Sequence, residues 1–381
     1  MHTQRIVVSI MLSALLGFGS CGGASLSQPE PRVQRQPANT NSLRIDSLVR
    51  VADRPPVDSP NIAVQCANEE ACWINTPRIL WRSLDGGKTW QEVYRSASDN
   101  EVSTYYFISE DVGWSISFQS LSKSQDGGKS WTQLSSPLDY PNGEAWAIWF
   151  LSDGITGWLA GGLYRSQTTD ELKSGVPPNT KDVMGKKVLE EAIYVTRNGG
   201  LSWETQVLPK EIGRILRIKF TNKDQGIAFG ERDIYYTVNG GANWQKATLK
   251  RACTGKELFS EDYHAAPSNL FILDSATSWI SYTDGRVLKS VDGGRTWCDL
   301  VVPGRIQFEP ESNKPQYFTN LHFESSGHGW GLGWDRFLYE TRDGGTNWTR
   351  VTSEVRFDSM AFPNKVNGFL VSEAGVFHIH P

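Results

Sequence analysis

The sequence predicts an all-β fold, a seven-bladed β-propeller of four-stranded antiparallel blades whose last blade is closed by the N-terminal strand. Three observations carry that expectation. An eight-residue turn pattern occurs six times, at 83–90 (SLDGGKTW), 124–131 (SQDGGKSW), 196–203 (TRNGGLSW), 237–244 (TVNGGANW), 290–297 (SVDGGRTW) and 341–348 (TRDGGTNW). Upstream, an aromatic residue is followed seven or eight positions later by the second member of a Gly-aromatic or similar pair: Phe107 and Trp114, Phe150 and Trp158, Phe220 and Ile227, Phe271 and Trp279, Phe323 and Trp330, Phe362 and Phe369. Third, ten of the 15 Trp and seventeen of the 36 Gly fall in these two signatures, in a chain whose 21% charged and 39% hydrophobic content excludes disorder.

From the N-terminus, residues 1–20 read as an export signal. Arg5 is the single fixed charge, 6–18 is apolar, and 19–21 is Gly-Ser-Cys. Thirteen apolar residues fall short of the about 20 that a membrane-spanning helix needs. Residues 16–21 (LGFGSC) resemble a bacterial lipoprotein cleavage box, making Cys21 the expected lipidation site, although Phe18 stands where an aliphatic residue is usual. The expected location is thus a bacterial membrane facing the periplasm, or free periplasmic or extracellular if the signal is a plain secretory one. Residues 21–42 hold almost no large apolar side chain and are expected to form a flexible tether. The propeller is expected over 43–381.

In an oxidising compartment the remaining Cys66, Cys72, Cys253 and Cys298 suit two structural disulfides, Cys66–Cys72 closing a hairpin and Cys253–Cys298 a second bridge. Neither a CxxC pair nor a His cluster supports zinc.

The turn pattern has a chemical rationale. The Ser or Thr hydroxyl and the side chains of Asp85, Asp126, Asn198, Asn239, Asp292 and Asp343 accept bonds from nearby N–H groups, while each Gly pair supplies positive φ. The closing Trp90, Trp131, Trp203, Trp244, Trp297 and Trp348 are suited to wedging between sheets. These turns join strands c and d, and the Asp and Asn positions are 41, 72, 41, 53 and 51 residues apart. The 40–50-residue spacing is that of propeller blades, the longer gaps holding insertions. After the sixth turn three strands remain, and residues 42–51 are expected to supply the missing fourth.

Loops b–c and d–a then share the face opposite the turns, together with insertions at 166–191, 250–266 and 303–316. Arg78, Arg232 and Arg336 lie five residues before a turn's Ser or Thr and Arg286 four before, so a rim of guanidinium groups with Trp334 beside it is a candidate surface for an anionic patch on a partner. Neighbouring acids such as Glu231, Asp233, Asp284 and Asp335 would otherwise offset these charges.

The S-x-D-x-G-x-T-W turn is similar to the Asp-box, or BNR, repeat of sialidases, sortilin-type receptors and some xyloglucanases. Joined to the upstream F…GW pair, it most resembles the photosystem II stability/assembly factor family over 43–381. That resemblance implies an exported seven-bladed propeller, often lipidated, that acts without catalysis on a protein partner, such as a membrane-protein segment or assembly intermediate. It implies no cofactor, and a monomer. A carbohydrate-active propeller, sialidase-like or another glycoside hydrolase, is the alternative. Against it, the arginine motif that opens sialidase domains is absent, and 77–79 (PRI) is a superficial echo. The net charge of -4 gives no reason to expect nucleic acid. No HExxH, Walker, dinucleotide or GxSxG motif appears, and His378 and His380, two residues apart, read as a strand end rather than a metal site.

Overall fold

A computed structural model describes residues 48–379 apart from 58, 60, 97–103, 118–119, 140–142, 167–185, 210–213, 231–232, 252–255, 258–264, 301–316, 352–353 and 366. Seven sheets are arranged as the blades of a propeller. Their strands a, innermost, are Ala63–Cys66, Thr104–Phe107, Gly143–Phe150, Ile215–Phe220, Pro267–Ile272, Phe318–Phe323 and Phe357–Ala361. Blade seven ends its own chain run at Gly375–Ile379, and Leu48–Ala52 pairs antiparallel with that strand as the outermost member. The ring is therefore closed by both ends of the propeller, as the sequence predicts. The export signal, Cys21 and the tether lie outside the described residues.

Two insertions depart from plain loops. In blade three, strands b and c run on as a hairpin, Gly157–Ser166 against Lys186–Thr196. Blade five has six strands rather than four. Thr248–Arg251 runs parallel to the outer strand Thr296–Asp299, and Lys256–Glu257 adds beyond it. The unpaired N–H and C=O groups of an outer edge accept any extended segment within reach, and the insertion after blade four supplies one.

What binds neighbouring blades is an aromatic sandwich, and it explains the F…GW signature. The strand-b Trp of one blade stacks on the strand-a Phe of the next: Trp73 on Phe107 at 4.0 Å, Trp114 on Phe150 at 3.6 Å, Trp158 on Phe220 at 3.4 Å and Trp279 on Phe323 at 3.7 Å. On its other face each Phe lies over the Gly that opens its own strand b, so a Cβ at Gly113, Gly157 or Gly329 would sit 2.4 Å from the ring. The Trp indole N–H also crosses the seam, donating from Trp73 to the Gly127 carbonyl (3.0 Å), from Trp158 to Gly240 (3.1 Å) and from Trp279 to Gly344 (2.9 Å). Each acceptor belongs to the next blade's Gly-Gly turn. The residue before the turn's Ser reaches forward as well, Arg82 to the Glu110 carbonyl and Lys289 to that of Ser326.

Three seams differ. Ile227 replaces the Trp between blades four and five, and Ile272, not Phe271, faces strand b's Ser278. The upstream aromatic of blade five is thus displaced by one residue, and Phe271 meets His322 edge-on instead. Between blades six and seven, His322 stacks on Phe362 at 3.8 Å, and burial pulls its pKa down to about 4. At the closing seam Cys66 and Cys72 occupy the register held elsewhere by Phe and Gly, and they form the expected disulfide. There His378 makes the forward bond, to the Gly86 carbonyl at 2.7 Å. Cys253 lies outside the described residues, so its expected pairing with Cys298 is not described.

The turns repeat almost atom for atom. In the first, the Ser83 hydroxyl bonds Asp85 (2.8 Å) and accepts the Gly87 N–H (2.8 Å), while Asp85 accepts the Thr89 N–H (2.9 Å) and hydroxyl (2.6 Å). Gly86 and Gly87 have φ of 72° and 79°, and the other five Gly pairs are likewise positive. Asn198 and Asn239 make the corresponding backbone bonds with an amide oxygen. In the Asp turns, partial burial raises the carboxyl pKa, but the surrounding hydrogen bonds outweigh it, so Asp85, Asp292 and Asp343 are lowered and Asp126 falls to about 2.

Two outcomes follow. Gly157→Ala, which drives a methyl into Phe150 and so against Trp114, is expected to destabilise the chain by ~2 kcal/mol or more in urea unfolding. Because the turn carboxylates bind protons more tightly in the unfolded chain, their stabilisation is complete above about pH 4 and disappears as pH falls towards 2. Thermal melts of a variant with Asp85, Asp126, Asp292 and Asp343 all changed to Asn should lose much of the acid-induced fall in that window; an unchanged fall would place its origin elsewhere.

Candidate functional site

The face opposite the turns carries the b–c loops, the d–a connections and the mouth of a central cavity. Of the four rim arginines, three lie among the described residues, all on b–c loops of this face. Arg78 is half-buried in a loop where the Thr76 hydroxyl accepts the Arg78 and Ile79 N–H groups. Arg286 is buried, its guanidinium held by Asp284 at 2.5–2.6 Å and set over the Tyr282 ring. Arg336 is 40% exposed, paired with Asp358 and 3.8 Å from Glu373 of blade seven. Arg54 also binds Asp358, at 3.1 Å. Burial raises the Asp358 pKa, with the two arginines working against it. Arg232 lies outside the described residues.

Arg286 and Arg336 are not equivalent positions, which accounts for their different distances from the turns. In blade five the Gly285 N–H bonds Tyr282 and the Tyr282 N–H bonds Arg286; in blade six Arg336 bonds Gly333 and Gly333 bonds Phe337, all at 2.9 Å. Arg336 thus occupies the place of Gly285, and it shares the left-handed backbone, φ 69° against 89°. Among the described residues it is the only non-glycine residue with positive φ. Its guanidinium is tied to Asp358 on the neighbouring blade, and this anchor holds a residue in a conformation that disfavours it. Beside it Trp334, 38% exposed, stacks on Tyr317 at 5.4 Å. Burial pushes the Tyr317 hydroxyl up to about 12.

The cavity, about 460 Å³, is lined by the first five blades. In the first four blades strand a turns one side chain near its end into the cavity, and each reaches the next blade: Gln65 donates to the Tyr105 carbonyl (2.9 Å), Tyr106 to that of Phe150 (3.0 Å), Trp149 to that of Phe220 (3.0 Å) and Lys219 to that of Leu270 (2.7 Å). Burial raises the Tyr106 pKa, keeping its hydroxyl a donor. Asn61, Asn75 and Pro77 line the cavity from this face, where it opens, and Trp146, Arg217 and Asn269 line it within. No carboxylate belongs to the described lining.

Motif reading missed this lining. Trp146 and Trp149 fell outside both repeat signatures, and Arg217 and Lys219 belong to no motif. The available signal was the alternation in residues 215–220 (ILRIKF), where two cations share one face of an innermost strand.

Compared by sequence, no family model and no curated protein matches the chain. Compared by structure, it is similar to YCF48 bound to a D1 peptide, at 17% identity and a TM-score of 0.55 over 87% of this chain and 97% of that one. YCF48 from Cyanidioschyzon merolae gives 17% and 0.56 over 88% and 98%. A GH74 xyloglucanase from Xanthomonas campestris gives 12% and 0.56 over 87% of this chain and 52% of its own. At these identities the likeness is one of fold, the seven-bladed propeller.

The left-handed site yields a comparison of two variants that both remove the Asp358 ion pair. Arg336→Ala is expected to be less stable than Arg336→Gly by about 1 kcal/mol in urea unfolding, since only glycine adopts positive φ without a Cβ penalty. Equal stabilities would show that the backbone there is unstrained.

Proposed function

We propose that this chain is a non-enzymatic binding propeller that takes a peptide or protein segment on the face opposite the Gly-Gly turns, in a role like that of photosystem II stability/assembly factors. The observation that carries the reading is the exposed Trp334, stacked on Tyr317 and flanked by Arg336. Rigid aromatic side chains beside a guanidinium are the groups that dominate protein recognition energetics. The D1 peptide bound to one structural neighbour supports a peptide as the class of partner. The Cys66–Cys72 disulfide supports an oxidising compartment, and with the apolar leader it favours an exported chain lipidated at Cys21.

The test is capture of partner from the chain's own membranes by wild type and by Trp334→Ala, Arg78→Ala and Arg232→Ala. Recovery should fall by about tenfold or more for Trp334→Ala, and undiminished recovery by all three would overturn the reading. A second reading, a glycoside hydrolase, is favoured by the Trp146 and Trp149 wall of the cavity and by the GH74 neighbour. Such chemistry uses a carboxylate pair across the scissile bond, and release of sugar from xyloglucan or a sialoside would replace the first reading.

A further inference from the structure

We infer that the central cavity is an oxyanion-binding site, seating a carboxylate or phosphate group between Arg217 and Lys219. The two side chains alternate on the axis-facing side of the strand Ile215–Phe220 and both line the cavity. Residues two apart on one strand face lie roughly 6.6 Å apart along it, a distance that one oxyanion can span between two long cationic side chains. Several buried or half-buried guanidinium groups elsewhere sit against acids: Arg286 on Asp284, Arg336 and Arg54 on Asp358, and Arg82 near Asp111. Arg217 and Lys219 differ, for among the described residues neither makes an ion pair and no carboxylate lines their cavity.

Their hydrogen bonding leaves capacity for a ligand. Arg217 donates to the Leu216 carbonyl at 2.8 Å and Lys219 to that of Leu270 at 2.7 Å. A guanidinium has five donors and an ammonium three, so most remain for an anion. Holding two like charges together away from bulk water is unfavourable, and burial together with the Arg217 charge pulls the Lys219 pKa down to about 8. A bound oxyanion neutralises both and accepts charge-assisted bonds from both. Trp149, with the Lys219 ammonium 5.6 Å from its ring, and Tyr106 give the site a flat apolar wall for the body of the ligand. The volume of about 460 Å³ and the open mouth suit a small organic acid or phosphate, or the carboxyl end of a peptide entering from the rim.

The experiment is calorimetric titration of the folded chain at pH 7 with inorganic phosphate, with succinate, and with a hexapeptide whose C-terminus is either free or amidated. Saturable binding of at least one of these anions is expected, weakened about tenfold or more by Arg217→Gln and by Lys219→Gln. Preference for the free over the amidated peptide would identify a chain end, and phosphate or succinate alone a small ligand. Trp334→Ala, which should weaken partner capture at the rim, is expected to leave the affinity for phosphate and succinate unchanged, so the two readings fail separately. If Arg217→Gln does not fold, Lys219→Gln carries the test. Absence of binding to every anion, or an affinity that Lys219→Gln leaves unaltered, would overturn the inference.

Discussion

Everything else in this propeller depends on the phenylalanine at the end of an innermost strand, pressed between the indole of the preceding blade and the bare backbone of its own neighbouring strand. The contact adds little per pair, about 0.5–1.5 kcal/mol beyond the buried area, but it sets distance and tilt between sheets whose strands pair only within their own sheet. The indole then spends its N–H on the carbonyl of the next blade's turn, so one side chain carries both the apolar and the polar part of the seam. Glycine at the start of strand b is required because the ring occupies the space of its Cβ.

The turns were legible in the sequence because their chemistry closes within eight residues: hydroxyl, carboxylate or amide and glycine backbone bond one another, and in four copies the indole adds a bond to its own turn glycine. Blade number and the closing strand followed from counting them. The contacts that cross seams were visible only as halves. The stacked Trp and Phe come from different copies of the signature, the Trp of one blade meeting the Phe of the next. Substituted seams were harder still. Cys66 and Cys72 read as a hairpin clasp, which they are, but not as the replacement for a Phe over Gly, and Phe271 was placed one residue from the position that Ile272 fills.

The candidate site was less legible for a related reason. Counting back from the turns put Arg286 and Arg336 on one rim, yet they sit one position apart in equivalent loops, which sets one guanidinium over Tyr282 and carries the other across a blade boundary. Charge in a sequence does not reveal its own neutralisation: Asp358, which holds Arg336, lies in a strand of the next blade, at a bulge that no local pattern marks. The cavity lining was hidden because period-two alternation shows that a strand has two faces but not which of them meets the axis.

The closing strand fixes a polarity for the whole molecule. Leu48 pairs with Ile379 and Ala52 with Val376, so the chain enters blade seven at the end where strands a–b and c–d turn and travels towards the opposite end. Whatever precedes residue 48 therefore joins the ring on the side of the Gly-Gly turns, behind the cavity's mouth. Residue 48 thus starts the ring from the side away from the rim arginines Arg78, Arg286 and Arg336.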